Sequence, residues 1–436
     1  MVTGVSTDSR AVGAGEVFFA VRGERFDGHA FVGDAFARGA VAAVVSETAA
    51  TKSISGRTLV VRDTVSALGD LAAWYRRRFA LDVVGVTGTN GKTTTKDMCA
   101  AVLATTRRTL RTEGNLNSQI GVPLTLLGLE RAHEAAVVEM GMDRPGQIAR
   151  LAAIAGPRVG VITNVSEAHL ETAGSVEEIA RGKAEMLDAL PGDGTAVLNG
   201  DDTRVMSQAG RARCRVITFG LGEKADVRAT DVAESDRGVR FRLRGGPTVT
   251  VPVPGRHNAL NALAAIAVGE ALGVPADRAA EALSRFRPTP RRMSVSRVGR
   301  WTVIDDSYNC NPESLRAALE TLVAVAAGRP TAAVLGDMLE LGPRSAAAHE
   351  DAGRLVAGLG IGVLYAVGRE MQAARAGAIA AGMSPDRARH FTDRRALVDA
   401  LREGAEGGSL VVLVKGSRGM RMEEVVELLT TETKVS

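Results

Sequence analysis

Short apolar runs at 83–86, 135–138, 159–162, 196–198 and 216–219 alternate with helix-length stretches in which apolar residues fall three and four positions apart. That alternation predicts parallel strands, each followed by a covering helix, in an α/β fold. Upstream, apolar runs at 17–21, 41–45 and 59–61 sit between Gly-rich and charged turns and predict a smaller α/β module. Leu68, Leu71, Tyr75 and Phe79 mark one face of a helix whose cationic end, Arg76-Arg77-Arg78, complements its own dipole. Downstream, 239–243 and 249–253 read as β-rich, and an alanine-rich helix is expected over 257–272. In Arg287-Pro288-Thr289-Pro290-Arg291-Arg292, two prolines forbid helix continuation and suggest a joint. A second strand–helix series follows, with runs at 303–304, 332–335, 363–367 and 410–414. The pattern therefore predicts three domains: a small α/β domain over 1–80, a central mainly parallel sheet over 81–290, and a Rossmann-like domain over 291–436.

Composition narrows the picture in three ways. Of the 436 residues, 45% are hydrophobic but only 3% aromatic, so the cores are built from Ala, Val, Leu and Ile, and 49 glycines suit the many turns of an α/β chain. A net charge of +4 permits anionic ligands, yet the arginines are spread out rather than grouped with aromatics, which argues against nucleic acid as a partner. Cys99, Cys214 and Cys310 are odd in number and have no metal-ligand spacing, so reduced thiols in a cytoplasmic protein are expected. No run reaches ~18 apolar residues, and a membrane-embedded chain is not expected.

The chemistry begins where the run 83–86 ends. Gly88-Thr89-Asn90-Gly91-Lys92-Thr93-Thr94-Thr95 stands between a predicted strand and a predicted helix. Glycines let successive backbone N–H groups turn toward a phosphate, Lys92 adds a point charge, the helix contributes its positive end, and the Thr after the lysine offers a hydroxyl to Mg²⁺. The longer phosphate-loop spacing would place Gly at 86, where Val86 stands, so this is the shorter form. Glu139 ends the run 135–138 and His169 follows the run 159–162, both at the sheet edge where ligands of such folds sit. The plainer reading of Glu139 is a carboxylate facing a helix end. Lys183, by its own surroundings, reads as a helix-surface lysine.

Taken in order, Gly88 to Thr95, His169, Lys183, Gly255-Arg256-His257-Asn258-Ala259-Leu260-Asn261-Ala262 and Asp305-Asp306-Ser307 resemble the Mur ligases, the ATP-dependent amide-bond ligases of peptidoglycan precursor synthesis. The segments 113–125, 306–314, 336–342 and 415–418 are most similar to the branch that adds D-Ala-D-Ala. This resemblance runs over the whole chain. It implies that ATP phosphorylates the terminal carboxylate of a UDP-MurNAc-tripeptide, and that the amine of D-Ala-D-Ala then displaces phosphate from the acyl phosphate. It also implies two Mg²⁺ ions held by Thr93, Glu139, His169 and Lys183, the last as a carbamate formed with CO₂, with Lys92, Lys183 and His169 catalytic. ATP would be held by Gly88, Thr89, Asn90, Gly91, Lys92, Thr93 and Thr94, by Asn258 and Asn261 near the base, by Arg291 or Arg292 at the phosphates, and by Asp306 at the ribose. For Asn258 and Asn261, helix N-capping is the plainer alternative.

Substrate contacts implied by the resemblance are Ser9, Arg10 and Asp27 for the UDP-sugar in a UDP-MurNAc-peptide-binding first domain, where a surface turn is the plainer reading. Elsewhere they are Asn115, Asn117, Tyr308, Asn309, Asn311, Lys415 and Ser417. A monomer is expected. The runner-up is the sister ligase that adds the third amino acid to UDP-MurNAc-dipeptide, but its Asp-Asn-Pro-Arg tetrapeptide does not occur in this chain.

Overall fold

The computed structural model describes residues 2–23, 26–46, 56–167, 174–299, 301–404 and 408–431. It holds three sheets. The first pairs β1 (Gly4–Ser6), β2 (Glu16–Phe19), β3 (Ala42–Val45) and β4 (Thr58–Val60), all parallel and in that order. Its core is small: Phe18, Ala43 and Val45 pack against Val32 and Ala35 of a short helix. The helix Thr64–Arg76, capped by the Asp63 carboxylate accepting from Ser66 N, carries the chain across to the central sheet. Leu68 packs with Phe19 and Val44 of the first sheet, while the Arg76 guanidinium donates to the carbonyls of Ala155, Phe79 and Leu81 on the central side.

The central sheet contains β5 (Asp82–Thr87), β6 (Thr109–Arg111), β7 (Ala135–Glu139), β8 (Val159–Ile162), β9 (Thr195–Asn199), β10 (Arg215–Gly220), β11 (Val227–Ser235), β12 (Gly238–Leu243) and β13 (Thr248–Val251), in the order β13-β12-β11-β10-β9-β8-β5-β7-β6. From β6 to β11 every pairing is parallel, and the final two are antiparallel. The inner strands are apolar along their length because helices bury both faces. From β5 the chain runs through the helix Lys92–Leu103 to β6 at the edge, returns in β7 beside β5, and then crosses to β8 on the other flank. The carboxyl end of β5 is thus the switch point at which an α/β sheet opens a crevice.

The third sheet has the order β14-β15-β19-β16-β17-β18, with β14 (Ser294–Val298) antiparallel to β15 (Trp301–Asp306) and the remainder, β16 (Thr331–Gly336), β17 (Val363–Val367), β18 (Ala388–Phe391) and β19 (Val411–Lys415), parallel. Its helix Pro312–Ala326 lies against both the helix Arg256–Ala271 and β11, so one apolar core runs on from the central sheet into this one. No helix among the described residues is long and apolar enough to cross a membrane.

Candidate functional site

A cleft of about 880 Å³ opens over the carboxyl end of β5, between the central and third sheets. Its floor is the glycine loop. Gly88 has φ of 147° and Gly91 of 78°, in the region that favours glycine. A Cβ on Gly88 would collide with Thr163 Oγ1, and one on Gly91 would stand 2.5 Å from Asn261 Oδ1. The loop's shape is fixed from the β8 side. Thr163 Oγ1 and Asn164 Nδ2 donate to the Asn90 carbonyl at 2.6 and 3.1 Å, and Asn164 Oδ1 accepts from Asn90 N at 2.8 Å. Lys92 Nζ bends back over the loop and donates to the carbonyls of Gly88 and Thr89, each at 2.9 Å. Desolvation lowers its pKa, Arg292 lowers it further, and Glu139 opposes both.

Two polar atoms beside this lysine are buried without partners. Thr93 is 2% exposed and Glu139 is 1% exposed, and neither Thr93 Oγ1 nor Glu139 Oε2 has a hydrogen bond. The other Glu139 oxygen accepts from Asn117 Nδ2 at 2.7 Å, and the Glu139 N–H donates to Thr112 Oγ1 at 3.0 Å. A carboxylate oxygen and a hydroxyl left bare in a buried site are expensive unless a ligand completes them, and this donor pair suits a hard cation. The residues therefore fit Mg²⁺ at Thr93 and Glu139, rather than Glu139 facing a helix end. His169 lies outside the described residues.

Lys183 departs from the surface position its own neighbourhood suggests. The helix Val176–Asp188 turns Ile179, Ala180, Lys183, Ala184 and Leu187 inward, and Lys183 is only 5% exposed. Burial is the larger cause, and the charge of Lys92 the second, of a pKa held well below the usual lysine value. Both causes favour the neutral, nucleophilic form of the amine.

The structure separates the two arginines. Arg291 has φ of 67°, its carbonyl accepts from Tyr308 N at 3.1 Å, and its guanidinium reaches Glu423 Oε1 at 3.1 Å, off the cleft wall. Arg292 lines the cleft, stacked 4.0 Å from the centre of the Tyr308 ring. Asp306, also in the cleft, pairs with the buried ammonium of Lys415, and its other oxygen accepts from Met293 N at 3.1 Å. Lys415 Nζ donates to the Asn309 carbonyl at 2.9 Å as well. Asn258 and Asn261 do not cap their helix, whose N-cap is Gly255. Asn258 Nδ2 donates to the Pro254 carbonyl at 2.6 Å, Asn261 Nδ2 to Asn258 Oδ1 at 2.9 Å, and Thr95 Oγ1 to Asn261 Oδ1 at 3.1 Å.

Of the expected substrate residues, Asn115, Asn117, Tyr308, Asn309, Asn311, Lys415 and Ser417 line the cleft. Ser417 also holds the wall together, donating to the Cys310 carbonyl and accepting from Leu339 N. Ser9, Arg10 and Asp27 stand apart from it. Arg10 pairs with Asp8 at 2.8 Å. The Asp27 carboxylate accepts from His29 N and Nδ1, which holds its pKa at about 2. Pattern reading gave no role to Asn164, Asn199 or His257, which also line the cleft. For Asn164 and Asn199 the available signal was position at the carboxyl ends of β8 and β9.

Comparison with known proteins gives matches along the whole chain. Residues 1–76 match the model of the Mur ligase family, catalytic domain, residues 86–269 the Mur ligase middle domain, and residues 291–418 the Mur ligase, glutamate ligase domain. The chain is 37% identical over 429 residues to the UDP-N-acetylmuramoyl-tripeptide–D-alanyl-D-alanine ligase of Bacillus subtilis (strain 168), covering 98% of this chain and 93% of that one. Among solved structures it is similar to MurF from Acinetobacter baumannii, with a TM-score of 0.91 and 34% identity over 98% of this chain and 93% of the other. MurF ligase from Thermotoga maritima, solved in complex with ADP, superposes with a TM-score of 0.87 at 30% identity, covering 99% of this chain and 98% of that one.

Proposed function

Because this chain belongs to the Mur ligase family, we propose that it is the ATP-dependent ligase that joins D-Ala-D-Ala to the terminal carboxylate of UDP-MurNAc-tripeptide. The observation that carries this reading is full-length likeness to D-alanyl-D-alanine-adding ligases together with a cleft in which Lys92, Arg292, Glu139 and Thr93 converge on the glycine loop. A carboxylate is a poor electrophile, so one of its oxygens first attacks the γ-phosphorus of ATP and releases ADP. The dipeptide amine then attacks the acyl carbon, the carbon–oxygen bond to phosphate breaks, and the amine gives up a proton as the amide forms.

Bringing an anionic carboxylate to an anionic triphosphate requires cations between them. Lys92 and Arg292 supply two, one from the glycine loop and one from the joint. In this reading Lys92 leaves the carbonyls of Gly88 and Thr89 for the phosphates, and Arg292 is oriented by the Tyr308 ring. Thr93 and Glu139, with His169 and Lys183 as a carbamate, would hold two Mg²⁺ ions, which when bound supply charge neutralisation at the phosphates. Lys183 suits carbamylation: burial favours its neutral amine, which adds to CO₂ and loses a proton, leaving an anionic carbamate.

Within this reading, residues 1–80 take the UDP-sugar through Ser9, Arg10 and the turn that Asp27 holds, 81–290 take ATP, and 291–436 complete the site as a Rossmann-like domain. The chain acts as a monomer in the cytoplasm. Phosphate release with ATP, Mg²⁺ and UDP-MurNAc-tripeptide, measured with and without D-Ala-D-Ala, tests the assignment. Release that requires the dipeptide is expected. Release indifferent to it would overturn the reading, and release with UDP-MurNAc-dipeptide plus a single amino acid would replace it with the sister activity.

A further inference from the structure

Immediately beyond the glycine loop, Lys96 is 1% exposed and Asp97 is 3% exposed. Neither lines the cleft. A lysine so deeply buried needs partners, and those of this pair lead in two directions. Lys96 Nζ donates to the Thr112 carbonyl at 2.7 Å and pairs with Asp97 Oδ1 at 2.8 Å. Thr112, the residue after β6, accepts through Oγ1 from the N–H of Glu139. In the other direction, Asp97 Oδ2 accepts from Thr289 Oγ1 at 2.6 Å, and Arg111 adds a second cation to Asp97 at 3.2 Å. Thr289 lies in the joint between the central and third sheets, three residues before Arg292. The joint is pinned again just past that arginine, where Met293 N donates to Asp306.

We infer that Lys96 and Asp97 are positioning residues that set the spacing between Glu139 and Arg292, tying the strand end that presents the carboxylate to the joint that presents the arginine. The inference rests on the ligase reading above only for the reaction used to measure it. The joint has two prolines, left-handed residues at Arg291 and, just past Arg292, at Met293, and no helix or strand of its own, so the hydrogen bond of Thr289 to a buried carboxylate acts with those of Arg291 and Met293 to restrain where Arg292 stands. A shift of an ångström in a phosphate-binding cation costs catalysis more than it costs folding.

Thr289→Val and Thr289→Ser in the full chain test this. Valine keeps the shape and removes the hydroxyl, and serine restores it. For Thr289→Val we expect kcat to fall about tenfold or more, the size of one hydrogen bond to a charged group. KM for the UDP-tripeptide should stay near that of the unaltered chain, and Thr289→Ser should recover most of kcat. A Thr289→Val kcat within about twofold of the unaltered chain, or a loss that serine does not rescue, would overturn the inference. A readout independent of the reaction is the change in solution scattering expected when a non-hydrolysable ATP analogue and Mg²⁺ are added. Thr289→Val should alter that change, and an identical change in both chains would also overturn the inference. Absence of dipeptide-dependent turnover in the unaltered chain would instead sink the ligase assignment and leave this arm standing.

Discussion

Burial and the neighbouring charge of Lys92 push the Lys183 amine in one direction, toward the neutral form. Lys183→Ala should abolish turnover while leaving ATP binding, measured by calorimetry, largely intact; a fully active variant would refute the carbamate role. The same burial has a thermodynamic signature. With the folded pKa below the ordinary 10.5, the unfolded chain binds the extra proton at intermediate pH, so the fold gains stability as pH rises toward 10.5 and bears its full burial penalty below the lowered value. In CO₂-free buffer, Lys183→Met should therefore raise the denaturant midpoint, and the gain should shrink as pH rises toward 10.5. A gain that grows with pH would contradict the neutral amine. The arginines are a second case. Arg292→Ala should lower kcat strongly at little cost in thermal stability. Arg291→Ala, which takes away one of the two arginines, Arg291 and Arg418, that pair with the buried Glu423 carboxylate, should lower Tm first; the opposite pattern would reverse the assignment. Neither distinction was legible in the sequence. Adjacent arginines have the same chemistry, and only the left-handed turn at Arg291 sends them to different partners. Lys183 looks like any helix lysine until the packing of its helix face is known.

At the scale of elements, the glycine loop was legible because its chemistry is local: a strand, a turn that needs positive φ, and a helix start follow one another within a dozen residues. Gly91→Ala should weaken ADP binding at least about tenfold, since a Cβ at φ of 78° is strained and would press on Asn261 Oδ1. Unchanged affinity in calorimetry would show that the loop can relax around it. The buried strands β5, β7, β8, β9 and β10 were equally plain, because helices on both faces demand unbroken apolar runs. Four of the six edge strands among the described residues were not, although β4 and β13 were. β1, β6, β14 and β18 are three to five residues long and carry polar or charged residues such as Arg111, Arg297 and Arg389, so nothing separates them from loop until a neighbouring strand supplies the ladder. β11 was missed for a related reason: it carries the exposed Asp231 and the half-buried Glu234, and a register shift between Thr230 and Ala233 breaks its alternation.

Across the whole molecule, the third sheet already touches the glycine loop. Asn311 Nδ2 donates to Asn90 Oδ1 at 2.8 Å, Asn90 Nδ2 donates to Glu313 Oε2 at 2.9 Å, and Arg344 pairs with Glu167 farther along the same seam. These contacts are polar, and those of Asn90 lie in the cleft, whereas the helices Arg256–Ala271 and Pro312–Ala326 share an apolar core. From such an arrangement we expect the third sheet to pivot about the apolar seam and to latch at the polar one. Nucleotide entering the cleft would strengthen the latch side, because Lys92 and Arg292 then share an anion instead of repelling each other, a repulsion that adds to burial in lowering the pKa of Lys92. The expected result is a smaller radius of gyration in solution scattering when a non-hydrolysable ATP analogue and Mg²⁺ are added, with Asn311→Ala reducing that change by weakening the hold on Asn90. Scattering profiles identical with and without nucleotide would mean that the shared apolar core fixes the third sheet in place, and that the cleft admits ATP without moving it.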